Sequence, residues 1–231
     1  MQIIANPYSI RMDEFPDLIV SPKGKELTPE QIVQIRERCR AYSEVFVELG
    51  SGSGEHLIVK ALNNPKALFI GFEIRFKRTF RTAEKAIVQK VDNILIVRTF
   101  AQELPRIFNA GTIDGFYVNF PDPWAKKHWL KHRLLTDEMI EQIQKVLKPK
   151  GFFSYKTDHE EYFKAVETYL KSSTEWKITQ VTNNLHKSQF LSDNVPTEFE
   201  KLFLTKGLPI YFIKLSKISE SAKVAYNGGS F

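Results

Sequence analysis

The chain has 231 residues, 42% of them hydrophobic and 18 of them Phe, which is enough apolar content to order one sizeable α/β domain and excludes disorder along its whole length. Cys39 is the single cysteine, which excludes an intrachain disulfide and a zinc site of several thiolates and points to a reduced cytoplasm, with no metal expected. The net charge of +6 fits a polyanionic partner such as nucleic acid without identifying one. Met1 to Phe15 lacks a basic start followed by an apolar core, so no signal peptide is expected. No apolar run approaches the roughly 18 to 20 residues that span a bilayer, so no membrane association is expected.

In chain order, residues 1–27 read as an irregular extension, with Asn6-Pro7, Phe15-Pro16 and Ser21-Pro22-Lys23-Gly24 as turn signals. Thr28 then caps a helix whose first turn holds Pro29, and residues 28–231 read as a single domain. Val45 to Leu49 is an apolar strand, followed by a glycine turn and a helix from about Glu55 to Leu62. Leu68 to Glu73 is a second strand, after which Phe76, Phe80, Ala83 and Ile87 recur at helical spacing and define one apolar face. Ile94 to Val97 and Ile113 to Asn119 supply two more strands. Leu135, Met139, Ile143 and Val146 mark a helix ending near Pro149. Gly151 to Lys156 is a fifth strand, and Tyr162, Phe163, Val166 and Tyr169 place a further helix. Such alternation predicts a mostly parallel sheet with helices on both faces. Lys177–Thr182 and Pro209–Leu215 can close it as an antiparallel edge, giving seven strands in all. Ligands then bind beyond the carboxyl ends of the strands.

The first such loop is Glu48-Leu49-Gly50-Ser51-Gly52-Ser53-Gly54. Gly50, Gly52 and Gly54 permit positive φ and let a ligand lie against bare backbone, and the helix that follows offers unpaired N–H groups. At the end of the second strand, Glu73 is placed to accept hydrogen bonds from two ribose hydroxyls. A tight strand–helix turn with a solvated glutamate is the bland alternative. The dinucleotide fingerprint G-x-G-x-x-G/A is incomplete in either register, meeting Glu55 or Leu57 where its last small residue belongs. Glu48 is an acid suited to a cation. These details favour S-adenosylmethionine, with its ammonium and sulfonium, over NAD(P).

The loop after the fourth strand is Asn119-Phe120-Pro121-Asp122-Pro123-Trp124. Two prolines stiffen it around Asp122, as a site requires more often than a surface turn does. Next comes Lys126-Lys127-His128-Trp129-Leu130-Lys131-His132-Arg133. These basic groups suit phosphates and the indole offers a stacking face, while a plain solvated charged loop remains the alternative.

Taken together, E-L-G-S-G-S-G, G-F-E, N-F-P-D-P-W-A-K-K, Lys156-Thr157-Asp158 and Thr197-Glu198-Phe199-Glu200-Lys201 resemble the bacterial tRNA (guanine-N7-)-methyltransferases over roughly residues 45 to 215. The glycine loop is generic; F-P-D-P-W-x-K with a later T-E-F-E is specific. The resemblance implies a Rossmann-like class I methyltransferase fold, S-adenosylmethionine as cofactor, and methylation of a guanine N7 in tRNA, at variable-loop position 46. It implies that Glu48 and Glu73 bind the cofactor with the glycines, and that Asp122 is the catalytic acid at the cofactor–substrate junction. Lys126, Asp158, Thr197, Glu198, Phe199 and Glu200 match substrate-binding positions. His128, Trp129, Leu130, Lys131, His132 and Arg133 fall on the RNA-contacting loop. Two departures stand out. Phe100, before Ala101, occupies the adenine-contacting position that usually holds Asp or Asn, so backbone contact or stacking would serve there. His128-Trp129 replaces more basic residues.

The chemistry assigns tasks to the acids. Guanine N7 carries a lone pair and no proton, so methyl transfer to it asks for alignment, and positive charge appears on the purine. Asp122 then stabilises that charge and positions the base, with no proton to remove. Asp158 can accept from N1–H and the exocyclic amine of guanine, or can cap the helix from His159. Thr197-x-x-Glu200 likewise reads as a capping box. The alternatives are methylation of an exocyclic amine, since N-F-P-D distantly resembles the N/D-P-P-Y/F loop, and an RNA-binding subunit with a non-catalytic methyltransferase fold. Monomer and homodimer are both compatible with the sequence.

Overall fold

The structure is a computed structural model that describes residues 6–24 and 26–219. The expected extension and domain also take in residues 1–5, 25 and 220–231, which lie outside the described residues. The chain forms two compact units that divide between Phe108 and Asn109.

The first unit holds α1 (Pro7–Arg11), β1 (Ile19–Val20), α2 (Pro29–Arg40), β2 (Glu44–Leu49), α3 (Glu55–Asn63), β3 (Ala67–Phe72), α4 (Phe76–Val88), β4 (Ile94–Val97) and α5 (Leu104–Ile107). Its strands pair in parallel in the order β1-β4-β3-β2. Every residue of β3 and β4 is buried, as expected of parallel strands covered on both faces, and this is why they read as unbroken apolar runs. Thr28 and Gln31 form a reciprocal capping box at the start of α2, with Pro29 in the first turn. Burial pushes the Cys39 thiol up to about 12, so it is packed as an inert apolar group.

Residues 1–27 are not irregular throughout. Asn6 Oδ1 accepts from the Tyr8 amide and starts α1, and Ile19 and Val20 pair with Ile96 and Val97. The rings of Tyr8 and Phe15 lie 5.5 and 5.3 Å from that of Phe80, and the Arg98 guanidinium donates to Ser21 Oγ and the Pro22 carbonyl at 2.7 Å each. Elements of five and two residues are too short for any periodicity to reveal. They add a strand, so the described residues form eight and not the expected seven. The apolar face of α4 is also rotated from expectation. Thr79, Phe80, Thr82, Ala83 and Ala86 are buried, whereas Ile87 is 57% exposed. Thr82 tolerates burial because its hydroxyl lies 3.0 Å from the Arg78 carbonyl and 3.2 Å from that of Gly52.

The second unit holds β5 (Ile113–Asn119), α6 (Asp137–Val146), β6 (Leu147–Thr157), α7 (Glu160–Ser172), β7 (Trp176–Thr182), α8 (Glu198–Thr205) and β8 (Tyr211–Lys217). β5 and β6 are parallel, while β8 runs antiparallel to both β6 and β7. The mostly parallel α/β class with an antiparallel edge is therefore as expected. α6 stops at Val146 and β6 begins at once, earlier than the Pro149 boundary. A register shift between Ile113 and Gly115 and the positive φ of Lys150 mark that junction. Among the described residues, no helix is long and apolar enough to cross a membrane.

Candidate active site

In the first unit the glycine loop joins β2 to α3. Gly50, Gly52 and Gly54 have φ of +75°, +58° and +76°, the left-handed region that their sequence pattern requires. At Gly54 a side chain is also excluded by contact, since a Cβ there would lie 2.2 Å from Thr82 Cγ2. Glu73 is buried, and its two oxygens accept from the Gly52 and Arg75 amides at 3.0 and 2.8 Å. The acid expected to meet a ribose thus also braces the loop. Each carboxylate oxygen has a second lone pair left for a hydroxyl donor.

Glu48 is 2% exposed and lies 3.1 Å from Nδ1 of buried His56. Sequence reasoning missed His56. Its signal was a polar ring in the first turn of the helix directly after the glycines. Phe100 follows β4 with its side chain 56% exposed, and Ala101 is buried behind it. Phe100 is therefore available for stacking, and Ala101 offers backbone only. The buried hydroxyls of Ser51 and Thr99 have no hydrogen-bond partner among the described residues. They lie beyond the carboxyl ends of β2 and β4. Buried polar groups rarely stay unsatisfied, so glycines, acids and two orphan hydroxyls together fit a polar ligand such as S-adenosylmethionine.

In the second unit Phe120 and Trp124, which flank Pro121-Asp122-Pro123, both have positive φ, +50° and +42°. Bulky residues adopt this conformation at a cost of about 1–3 kcal/mol each, and such strain clusters where a side chain must be aimed. Asp122 at the apex is exposed and accepts no hydrogen bond from the described residues. Behind it, Arg133 Nε donates to the Pro123 carbonyl at 2.8 Å, and the Arg133 guanidinium lies over the Tyr162 ring at 4.4 Å. Expected to contact RNA, Arg133 is largely buried instead and holds the loop. Leu130 is half-buried. Lys126, His128, Trp129, Lys131 and His132 are exposed, with the Lys126 ammonium 4.9 Å from the Trp129 ring centre. Trp124 packs edge-on to Trp129 at 5.7 Å and lies 5.5 Å from His132. The result is an aromatic surface set among cations.

At the end of β6, the cap of α7 is His159, whose Nδ1 accepts from the Tyr162 amide at 3.2 Å. The capping explanation for Asp158 fails. Asp158 is half-exposed and makes no hydrogen bond to the described residues. Thr197 caps α8 by accepting from the Glu200 amide at 3.0 Å, but the reciprocal half of the box is not made. Glu200 is fully buried and meets Lys156 and His186. Glu198 and Phe199 are exposed, and Phe199, Phe203 and Phe120 form an aromatic row that connects α8 to the root of the Asp122 loop.

Residues 42–213 match the sequence profile of a family described as putative methyltransferases. A 16S rRNA methyltransferase, KamB, superposes with a TM-score of 0.61 at 16% identity, over 87% of this chain and 99% of that one, a likeness of fold. The chain is a methyltransferase that uses S-adenosylmethionine. A tRNA (guanine-N(7)-)-methyltransferase of Bacillus licheniformis is 36% identical over 74% of this chain and 79% of its own length. The chain belongs to the tRNA (guanine-N(7)-)-methyltransferase family. It also matches a bifunctional glycosyltransferase/methyltransferase of Fusobacterium nucleatum, 31% identical over 92% of this chain, and spans 33% of that protein's length.

Proposed function

We propose that the chain transfers a methyl group to N7 of a guanine in the variable loop of tRNA, in the cytoplasm. The observation that carries the reading is the Asp122 loop, a carboxylate held at the apex of a turn by left-handed Phe120 and Trp124 and the Arg133 brace. S-adenosylmethionine supplies an electrophilic methyl group on a cationic sulfur. Glu73 accepts hydrogen bonds from ribose hydroxyls, Ser51 and Thr99 offer hydroxyls to the ligand's polar groups, and Glu48, held by His56, supplies negative charge for its ammonium. Phe100 stacks where the family pattern has a polar adenine contact.

Asp122 stabilises the positive charge that develops on the purine and need not accept a proton, because N7 has none to lose. Asp158, free of the capping role, accepts from N1–H and the exocyclic amine of guanine and disfavours adenine, whose N1 is an acceptor. Lys126, Lys131, His128, Trp129 and His132 engage phosphates and unstacked bases, while Thr197, Glu198 and Phe199 border the base. The test is incubation with methyl-labelled S-adenosylmethionine and unmodified tRNA, followed by nucleoside analysis. Labelled 7-methylguanosine is expected. Label in another nucleoside, or in none while a control enzyme is active, refutes the reading.

A further inference from the structure

Lys156 is 3% exposed and Glu200 is fully buried. The Lys156 ammonium donates to Glu200 Oε2 at 2.7 Å, Asn194 Oδ1 at 2.8 Å and the Val195 carbonyl at 3.0 Å, which uses its three protons. The second oxygen of Glu200 meets His186 Nε2 at 2.7 Å and Asn194 Nδ2 at 2.6 Å. On the main-chain side, the Lys156 carbonyl accepts from the Phe120 amide at 2.8 Å. One residue therefore ties together the root of the Asp122 loop, the segment 194–195, the first turn of α8 and its own strand, which ends beside Asp158.

A buried ion pair is an inefficient way to stabilise a fold, because desolvation cancels most of the attraction and a well-packed apolar pair does as well or better. What the pair does supply is direction. Three hydrogen bonds from one ammonium fix two segments, α8 and residues 194–195, against β6, and the Lys156 carbonyl holds the root of the Asp122 loop, a directionality that an apolar contact does not supply. The segments so fixed are those that carry Asp122, Asp158, Glu198 and Phe199. We propose that Lys156, with Glu200, Asn194 and His186, is the positioning device of the base-reading residues, setting the spacing of the methyl-transfer acid, the guanine-edge acid and α8. None of the four need touch the substrate. The proposal rests on the reading that these acids act on a tRNA guanine.

The test compares wild type with Lys156→Met/Glu200→Leu, which replaces the ion pair by apolar groups, and with Asn194→Ala, which leaves the pair and its Val195 carbonyl bond intact but removes both side-chain hydrogen bonds of Asn194. For each we would measure thermal unfolding, S-adenosylmethionine affinity by titration calorimetry, and kcat and KM on unmodified tRNA. A displacement near 1 Å at reacting groups costs on the order of 100-fold in rate. The double variant is therefore expected to melt near the wild-type temperature and keep cofactor affinity within about twofold, with kcat/KM for tRNA about 100-fold lower and most of the loss in kcat. Asn194→Ala should lose about tenfold, again mainly in kcat. Recovery of wild-type kcat/KM in the stable double variant, or an unaffected Asn194→Ala, reduces the network to a structural ion pair and overturns the proposal alone. Absence of 7-methylguanosine from the wild-type enzyme removes the underlying reading, and this proposal with it.

Discussion

Gly54→Ala should destabilise the first unit through a specific pair of atoms. An alanine would have to keep φ at +76°, which costs about 1–2 kcal/mol for a residue with a Cβ. Its Cβ would also lie 2.2 Å from Thr82 Cγ2, 2.7 Å from Thr82 Oγ1 and 2.9 Å from Thr82 Cβ, an overpacking typically worth about 1–3 kcal/mol. The sum is about 2–5 kcal/mol, or a fall in Tm of roughly 5–15 °C for a chain of this size. Thr82→Ala removes the two closest atoms, so in that background Gly54→Ala should cost little more than the backbone term. The coupling in the double-mutant cycle is then about 1–3 kcal/mol. Urea unfolding of the four proteins measures it, and cofactor titration should show Gly54→Ala weakening S-adenosylmethionine binding about tenfold or more, because the loop must shift off α4. Equal destabilisation by Gly54→Ala in both backgrounds would refute the contact argument. Unchanged cofactor affinity would separate the loop from the cofactor.

Asp122→Asn should lower kcat by about 100- to 1,000-fold, as for loss of one preorganised electrostatic group, with a loss of cofactor affinity well under about tenfold; single-turnover methylation kinetics with wild-type rates would reject its assigned role. Lys131→Ala should weaken tRNA binding and reduce the slope of log affinity against log salt by roughly 0.7–0.9. Arg133→Ala should instead lower Tm, because it loses the Pro123 carbonyl bond and the Tyr162 ring contact; filter binding across a salt series together with melting curves distinguishes the two. Burial alone would raise the pKa of Glu200, but the Lys156 ammonium and the hydrogen bonds from Lys156, His186 and Asn194 outweigh it and hold the carboxyl below its usual range. A depressed folded pKa means that its stabilisation is present above the unfolded value near about 4.3 and is lost as pH falls through the folded one. Wild type should thus lose stability more steeply than Glu200→Gln below about pH 4.3, and parallel acid-unfolding curves would contradict that.

What the sequence made legible was local, and what it hid was tertiary. β3 and β4 were readable because parallel strands buried on both faces must be apolar throughout. The glycine loop and Glu73 were readable because positive φ and a strand-end acid leave a trace in residue type. The face of α4 is hidden from the sequence because its buried positions include Thr79 and Thr82, and the Gly52 carbonyl that Thr82 meets belongs to a distant loop. Arg133 looks like one more cation in a basic run, and only its distance from the Pro123 carbonyl shows it to be a brace. Asp158 was ambiguous for the opposite reason. Aspartate outranks histidine as a helix cap, yet His159 makes the bond, and a carboxylate excused from capping at a strand end gains weight as a ligand-binding group. Lys156 lies 38 and 44 residues before Asn194 and Glu200, and with His186 the four share no spacing rule; β6, α8 and the loop before it bring them together. The residues proposed to do the chemistry are visible by type, then, while those proposed to position them require the fold. The Lys156 variants therefore probe something the motif does not contain, namely whether the spacing of the acids, rather than their presence, limits the rate.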